Sequence, residues 1–263
     1  MIVLKIGGNV LNDESSLAAA LAYFAGLTEP AVLVHGGGRK ASAVLSEMGR
    51  KPRMVGGRRL TDAPTLEVVT MVYAGLLNKR VVARLQALGR NALGLSGADA
   101  NVVRADLRPV GKIDYGFAGD VRAVDGARLR QLLAAGLSPV LCPITHDGAG
   151  QLLNTNADTI ANEAAIALAR TRPTDGPETG RVSLRYCFEL PGVLRDIDDP
   201  SSYFPTLTPA SYAAARAAGT ISGGMIPKLD NAFAALAAGV TEVVIGDLAA
   251  LAAGRGTRCV AEE

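Results

Sequence analysis

Cysteine and histidine are scarce. The three cysteines, Cys142, Cys187 and Cys259, are odd in number, far apart and without CxxC spacing. That argues against a disulfide framework and against a zinc site. Cys142 and Cys187 lie in strand-like runs, where a free cysteine behaves as a small hydrophobe. A catalytic cysteine needs a partner base, and His35 and His146 are the only histidines. Long apolar runs are also missing: nothing approaches the roughly 20 residues that span a bilayer, so no membrane partner is expected. Strand-like residues begin at Ile2, which leaves no room for a leader, and the expected location is the cytoplasm. A net charge of +2 is too small to bind nucleic acid through charge alone.

The familiar nucleotide signatures are absent as well. No GxxxxGK[ST] occurs, since Gly111-Lys112 lacks both the upstream glycine and the hydroxyl residue. No GxGxxG follows a strand, and no acid stands about 20 residues beyond Gly38, where a ribose partner would be expected. A P-loop enzyme and a nicotinamide oxidoreductase are both disfavoured.

What the chain does have is an ordinary globular balance, 49% apolar and 20% charged residues, and a regular alternation of elements. Short apolar runs at Ile2–Ile6, Ala31–His35, Asn91–Leu95, Leu137–Ile144, Val182–Phe188 and Thr241–Ile245 read as buried strands, with a last short strand including Arg258–Val260. Helices are expected at Glu14–Gly26, toward Gly49, from Asp62 through Leu85, and at Asn156–Arg170, Pro209–Ala218 and Pro227–Ala238. Asp62 suits an N-cap, with Pro64 in the first turn. Arg53–Leu60 carries Gly56-Gly57 as a hairpin signal, Val102–Val121 reads as hairpins, and Thr171–Gly180 as an exposed loop or lobe boundary. The pattern is that of βαβ units: an αβα three-layer sandwich around a mainly parallel open sheet, with hairpin excursions.

Two early strands end in glycine clusters that lead into helices. Such turns leave N–H groups pointing outward, and the helix N-terminus adds partial positive charge, so anions bind there. Between Arg39 and Arg59 lie seven basic residues with Glu47 the only acid. This is either a solvated face or a field that attracts a small polyanion.

The segments Lys5-Ile6-Gly7-Gly8, Val34-His35-Gly36-Gly37-Gly38, Gly57-Arg58-Arg59-Leu60-Thr61, Leu153-Asn154-Thr155-Asn156-Ala157-Asp158 and Gly223-Gly224-Met225-Ile226-Pro227-Lys228 occur in that order. Together they resemble the amino acid kinase family, most closely its acetylglutamate kinase branch, over nearly the whole chain. The resemblance implies ATP-dependent phosphorylation of the side-chain carboxylate of N-acetyl-L-glutamate, in arginine biosynthesis. The chemistry suits the composition. A glutamate side chain, with pKa near 4.3, is ionised at neutral pH and needs no general base. Phosphoryl transfer then requires charge neutralisation and in-line positioning.

The resemblance also implies roles. Lys5 and Lys228 match the two catalytic lysines, and Asp158 the acid that holds them, although helix-start capping is a compatible role for Asp158. Gly37, Gly38, Arg58, Arg59 and Asn154 match the substrate site, with Arg59 clamping the α-carboxylate. Gly7, Gly8, Gly36, Glu189, Gly192, Val193, Leu194, Ser222 and Gly223 fall where phosphates and nucleotide are bound. ATP arrives with Mg²⁺, held chiefly by phosphate oxygens and water, and no protein metal ligand is expected. A packing or hydrogen-bonding role is expected for His35.

Arg58 departs from the apolar residue often found there, and could pair with a second carboxylate on the acyl group. N-succinylglutamate is therefore an alternative acceptor, as is another acylated acidic amino acid of the aminoadipate type. A ligand-sensing module without turnover would not need both lysines and Asp158. One domain is expected over 1–263, with an acyl-amino-acid-binding and dimerisation lobe over about 1–170 and a nucleotide-binding lobe over about 181–263. The expected assembly is a homodimer, and the lack of an N-terminal helix before Ile2 predicts insensitivity to arginine.

Overall fold

A computed structural model describes residues 1–37, 39–171 and 180–261. The fold is built around β1 (Ile2–Ile6), all five of whose residues are buried. The chain turns at Gly7 into α1 (Gly8–Asn12), and Asp13 then caps α2 (Glu14–Ala25) by accepting a hydrogen bond from the Ser16 N–H. Next come β2 (Ala31–His35), α3 (Lys40–Glu47) and a tight hairpin of β3 (Met54–Val55) and β4 (Arg58–Arg59). The hairpin turn, Gly56-Gly57, has φ of +55° and +75°. Two successive left-handed residues are what a type I′ turn requires, and glycine adopts them without a Cβ clash.

Asp62 caps α4 (Ala63–Thr70) through the Thr65 N–H, with Pro64 in the first turn, as its sequence position predicts. The expected long helix does continue, but not uniformly. It passes through a π-helical segment, Met71–Leu77, before α5 (Asn78–Ala87). After it come β5 (Ala92–Leu95), β6 (Val103–Leu107), β7 (Ala118–Val124), α6 (Gly126–Ala134) and β8 (Ser138–Leu141). They lead to β9 (Ile144–His146), β10 (Leu152–Thr155) and α7 (Ala157–Arg170). The remainder holds β11 (Ser183–Cys187), β12 (Thr206–Leu207), α8 (Pro209–Ala217), α9 (Met225–Ala237), β13 (Glu242–Gly246), α10 (Leu248–Ala252) and β14 (Thr257–Cys259).

The main sheet has the order β12-β14-β13-β11-β1-β2-β8-β5, and every neighbouring pair is parallel except β13 with β14. Side-chain alternation divides β1 between two cores. Val3 joins Val32, Val34, Leu184 and Tyr186 under α7 and α9, where Ile160, Ala161 and Leu229 are buried. Ile2, Leu4 and Ile6 join Leu33 on the other face, against Leu21 and Phe24 of α2 and Val81 and Leu85 of α5. This is the expected three-layer sandwich.

Two local expectations fail. The run Leu137–Ile144 is not one strand: the chain leaves the main sheet after Leu141, and Ile144–His146 joins β6, β7 and β10 in a four-stranded sheet that closes on itself. Pro143 lies at the break and has no N–H to continue a ladder. Val102–Val121 forms not a series of hairpins but one antiparallel pair, β6 with β7, with a register shift at Arg104/Ala105. Most of the loop expected at Thr171–Gly180, and Gly38, lie outside the described residues. No described helix is long and apolar enough to cross a membrane.

Candidate active site

Strand alternation places Lys5 on the Val3 face of β1, under α7. The first turn of α7 presents Asp158. Asn156 is the N-cap there, its side-chain oxygen accepting from the Asp158 N–H at 2.7 Å and the Thr159 N–H at 3.2 Å. The capping task is thereby taken from Asp158, whose carboxylate is left for side chains. The Lys5 Nζ lies 2.6 Å from its Oδ1, and the Lys228 Nζ, on α9, 3.3 Å from its Oδ2. Lys228 also lies over the Tyr186 ring at 5.1 Å and the Phe188 ring at 5.9 Å. These aromatic faces stabilise a cation.

Burial alone would raise the Asp158 carboxyl pKa. The two ammonium groups and their hydrogen bonds outweigh it and hold the group below the ordinary carboxylate value. For Lys228, burial is the largest influence and lowers its pKa, opposed by Asp158 and aided by Lys5. Two cations against one anion leave a surplus positive charge, which suits a transferring phosphoryl group.

Lys5 and Asp158 stand at one part of a cavity of about 200 Å³, whose wall also includes Gly36, Gly37, Arg58, Arg59 and Asn154. Arg59 is 7% exposed. Its Nη2 donates to the Ser42 Oγ at 2.9 Å, whereas its Nε and Nη1 are buried without a partner among the described residues. A buried guanidinium N–H left unpaired is costly, and a carboxylate is the ligand that offers such donors charged acceptors. The Asn154 Nδ2 donates to the Thr61 Oγ1 at 3.0 Å, and Thr61 donates to the Arg59 carbonyl at 2.9 Å, so the three residues form one unit. The Arg58 Nη1 is 4.0 Å from Asp120, which Arg108 contacts more closely.

The two glycine turns abut: a Cβ on Gly36 would come within 3.8 Å of the Gly8 nitrogen. Gly7 is held by donating its N–H to the Cys187 carbonyl at 3.1 Å. A Cβ on Gly37 would lie 2.1 Å from the Tyr73 ring, so no larger residue fits without displacing that ring. His35 faces away from Lys5, toward α5. The Asn78 amide donates to its Nε2 at 3.2 Å, so the Nδ1 carries the proton and donates to the Gly36 carbonyl at 2.9 Å. Burial lowers the His35 pKa to about 4, and the ring is neutral at working pH. It holds the glycine turn and exchanges no proton with substrate.

Of the residues expected at the phosphates and nucleotide, Gly36 lines this cavity and the others do not. Glu189 is exposed just beyond β11, and Ser222 and Gly223 lead, exposed, into α9. Gly192 packs against Thr257 and Tyr203. Val193 and Leu194 are buried, and the Val193 N–H donates to the Thr257 Oγ1 at 2.8 Å. The three cysteines are buried, which pushes their thiols up to about 12, 11 and 12 for Cys142, Cys187 and Cys259 and leaves no thiolate nucleophile.

Sequence reasoning missed Tyr73, Ser42, Thr61 and Tyr186. For Tyr186 a signal existed, since it lies on the Lys5 face of a neighbouring strand, directly paired with Lys5. For Tyr73 none did, because a π-helical segment has no mark in the hydrophobic pattern.

A mainly parallel sheet with Lys5 on its central strand and Lys228 on a covering helix, both set on one aspartate beside an anion-ready cavity, is the site of a phosphotransferase of small molecules. The chain belongs to the amino acid kinase family, whose profile matches residues 1–175. It is 52% identical to the acetylglutamate kinase of Bacteroides thetaiotaomicron, over 98% of this chain and 97% of that protein. Among solved structures it is similar to smu.665 from Streptococcus mutans UA159, with a TM-score of 0.78, 26% identity and coverage of 99% and 98% of the two chains. The fold is also that of carbamate kinase from Giardia lamblia bound to AMP-PNP, with a TM-score of 0.69, 14% identity and coverage of 99% and 98%.

Proposed function

We propose that the chain is an ATP-dependent kinase that phosphorylates the side-chain carboxylate of N-acetyl-L-glutamate, a step of arginine biosynthesis. The observation that carries this reading is the convergence of Lys5 and Lys228 on Asp158, beside a cavity that holds the unpaired N–H groups of Arg59. Arg59 and Asn154 hold the α-carboxylate end, which aims the side-chain carboxylate at Lys5 and the glycine turns. One carboxylate oxygen attacks the γ-phosphorus of ATP, the bond to the β-phosphate oxygen breaks, and ADP and an acyl phosphate result. No proton moves, which accords with a neutral, turned-away His35. Lys5 and Lys228 neutralise the oxygens of the phosphoryl group in flight, and Asp158 keeps both in place.

The ends of β11 and α9 near Lys228 carry the nucleotide, and residues of about 1–170 carry the acceptor. Mg²⁺ enters with the nucleotide, held by phosphate oxygens and water. A lysine-rich site with no cluster of three acidic, histidine or cysteine side chains among the described residues fits a metal delivered in that way. The protein acts in the cytoplasm as a homodimer, and exposed Met71 and Leu76 on the long helix offer apolar contact area for it. The succinyl alternative raised by Arg58 is not favoured: the relative at 52% identity is an acetylglutamate kinase, and Arg58 already faces Asp120.

The test uses the purified protein, expected to sediment at the mass of two chains, with Mg-ATP, N-acetyl-L-glutamate and hydroxylamine. Acyl hydroxamate should accumulate one for one with ADP. ADP without hydroxamate, or no turnover from folded protein, contradicts the reading.

A further inference from the structure

Tyr73 lies in the π-helical segment between α4 and α5, and its ring forms part of the cavity wall that also contains Arg59 and Asn154. Wide turns of this kind inside α-helices recur at functional sites, where they re-aim a side chain. Here the residue is 5% exposed, and its hydroxyl makes no hydrogen bond among the described residues and is not one of the fully buried unpartnered atoms. The ring is fixed from behind: a Cβ on Gly37 would sit 2.1 Å from two ring carbons and 2.4 Å from the hydroxyl oxygen. A phenol oxygen held at a glycine turn, on a residue of a polar cavity wall and without a protein partner among the described residues, is a donor open to a ligand.

The cavity's other groups are already matched to parts of an N-acylglutamate. Arg59 takes the α-carboxylate, and Lys5 stands at the reacting end. The Asn154 Nδ2 is committed to Thr61, which leaves its Oδ1 free to accept the substrate's amide N–H. The remaining polar atom of such a substrate is the acyl carbonyl oxygen, which only accepts.

We propose that Tyr73 is a specificity residue, its hydroxyl donating to the acyl carbonyl while Asn154 accepts from the amide N–H, so that the pair reads a secondary amide. An amino acid with a free ammonium group presents neither the carbonyl nor a neutral N–H. The inference rests on the acylglutamate reading of the reaction above.

The test is Tyr73→Phe, which keeps the ring against Gly37 and removes only the hydroxyl. KM for N-acetyl-L-glutamate should rise about five- to tenfold, the loss of one hydrogen bond, with kcat within about twofold and KM for ATP unmoved. Glutarate, which has both carboxylates at the same spacing and no amide, should inhibit both proteins competitively with the same inhibition constant. An unchanged KM for N-acetyl-L-glutamate overturns the proposal. So does an equal weakening of glutarate, which would show a general disturbance of the cavity. A wild-type protein that forms no hydroxamate fails earlier, at the reaction itself, and takes this inference with it.

Discussion

Replacing Lys228 with methionine is expected to lower kcat by about 10²–10³-fold, the usual effect of removing one preorganised group that meets charge developing in the transition state. Lys5→Met should do the same. Methionine keeps the length and the apolar stem of lysine, so the packing of Lys228 on Tyr186 and Phe188 is largely retained and the charge is what disappears. Because Arg59 and Asn154 hold the acceptor independently of either lysine, KM for N-acetyl-L-glutamate should change by only a small factor. The two lysines act on one phosphoryl group through one carboxylate, and the double variant should therefore fall short of the product of the single effects. Steady-state hydroxamate assays on both single variants and the double variant measure all of this. A kcat within about threefold of wild type for either single variant would contradict a role at the phosphorus, where a lost group costs far more.

Asp158→Ala should cost more in stability than any surface change. It removes the one anion between two largely buried ammonium groups, leaving them to repel. The expected loss is about 3 kcal/mol, the lower end for a broken buried pair, because the Asp158 side chain remains 26% exposed. The effect has a pH signature. The folded carboxyl pKa lies below its ordinary value of 3.8, so the stabilisation is fully present above that value and is lost as pH falls through the lower folded one. Urea titrations of wild type and variant should differ at neutral pH and draw together in strong acid. Equal stability at neutral pH would show that the two lysines do not depend on the aspartate. Activity should fall with Asp158→Ala as well, since both lysines lose the group that aims them.

Much of this was legible in the chain. Glycine-bounded apolar runs alternating with helices gave the parallel sandwich, and Asp62-Ala63-Pro64 marked a helix start that the capped Thr65 N–H bears out. Lys5 stood out as a charge within an apolar strand, a position that demands a partner. That the partner is Asp158, shared with Lys228, followed from resemblance alone, since nothing local connects residues so far apart in sequence. The helix-start role open to Asp158 goes instead to Asn156, two residues earlier, and either residue suits such a position chemically. The misplaced strand at Leu137–Ile144 shows the limit of apolar runs: the pattern continues through Pro143, and only the missing N–H signals that the chain changes sheets there. His35 could have been placed, because strand alternation already puts it on the face opposite Lys5. The π-helical segment could not, as its residues read like any other buried helix.

The most direct test is a crystal structure of the protein with Mg-ADP, N-acetyl-L-glutamate and aluminium fluoride as the phosphoryl mimic. Both the Lys5 and Lys228 Nζ atoms should lie within hydrogen-bonding distance, about 2.7–3.2 Å, of the planar fluoride, on a line between the leaving oxygen and the substrate carboxylate. A structure in which either nitrogen points away from the fluoride, or in which the substrate presents its α-carboxylate to it, would contradict the account.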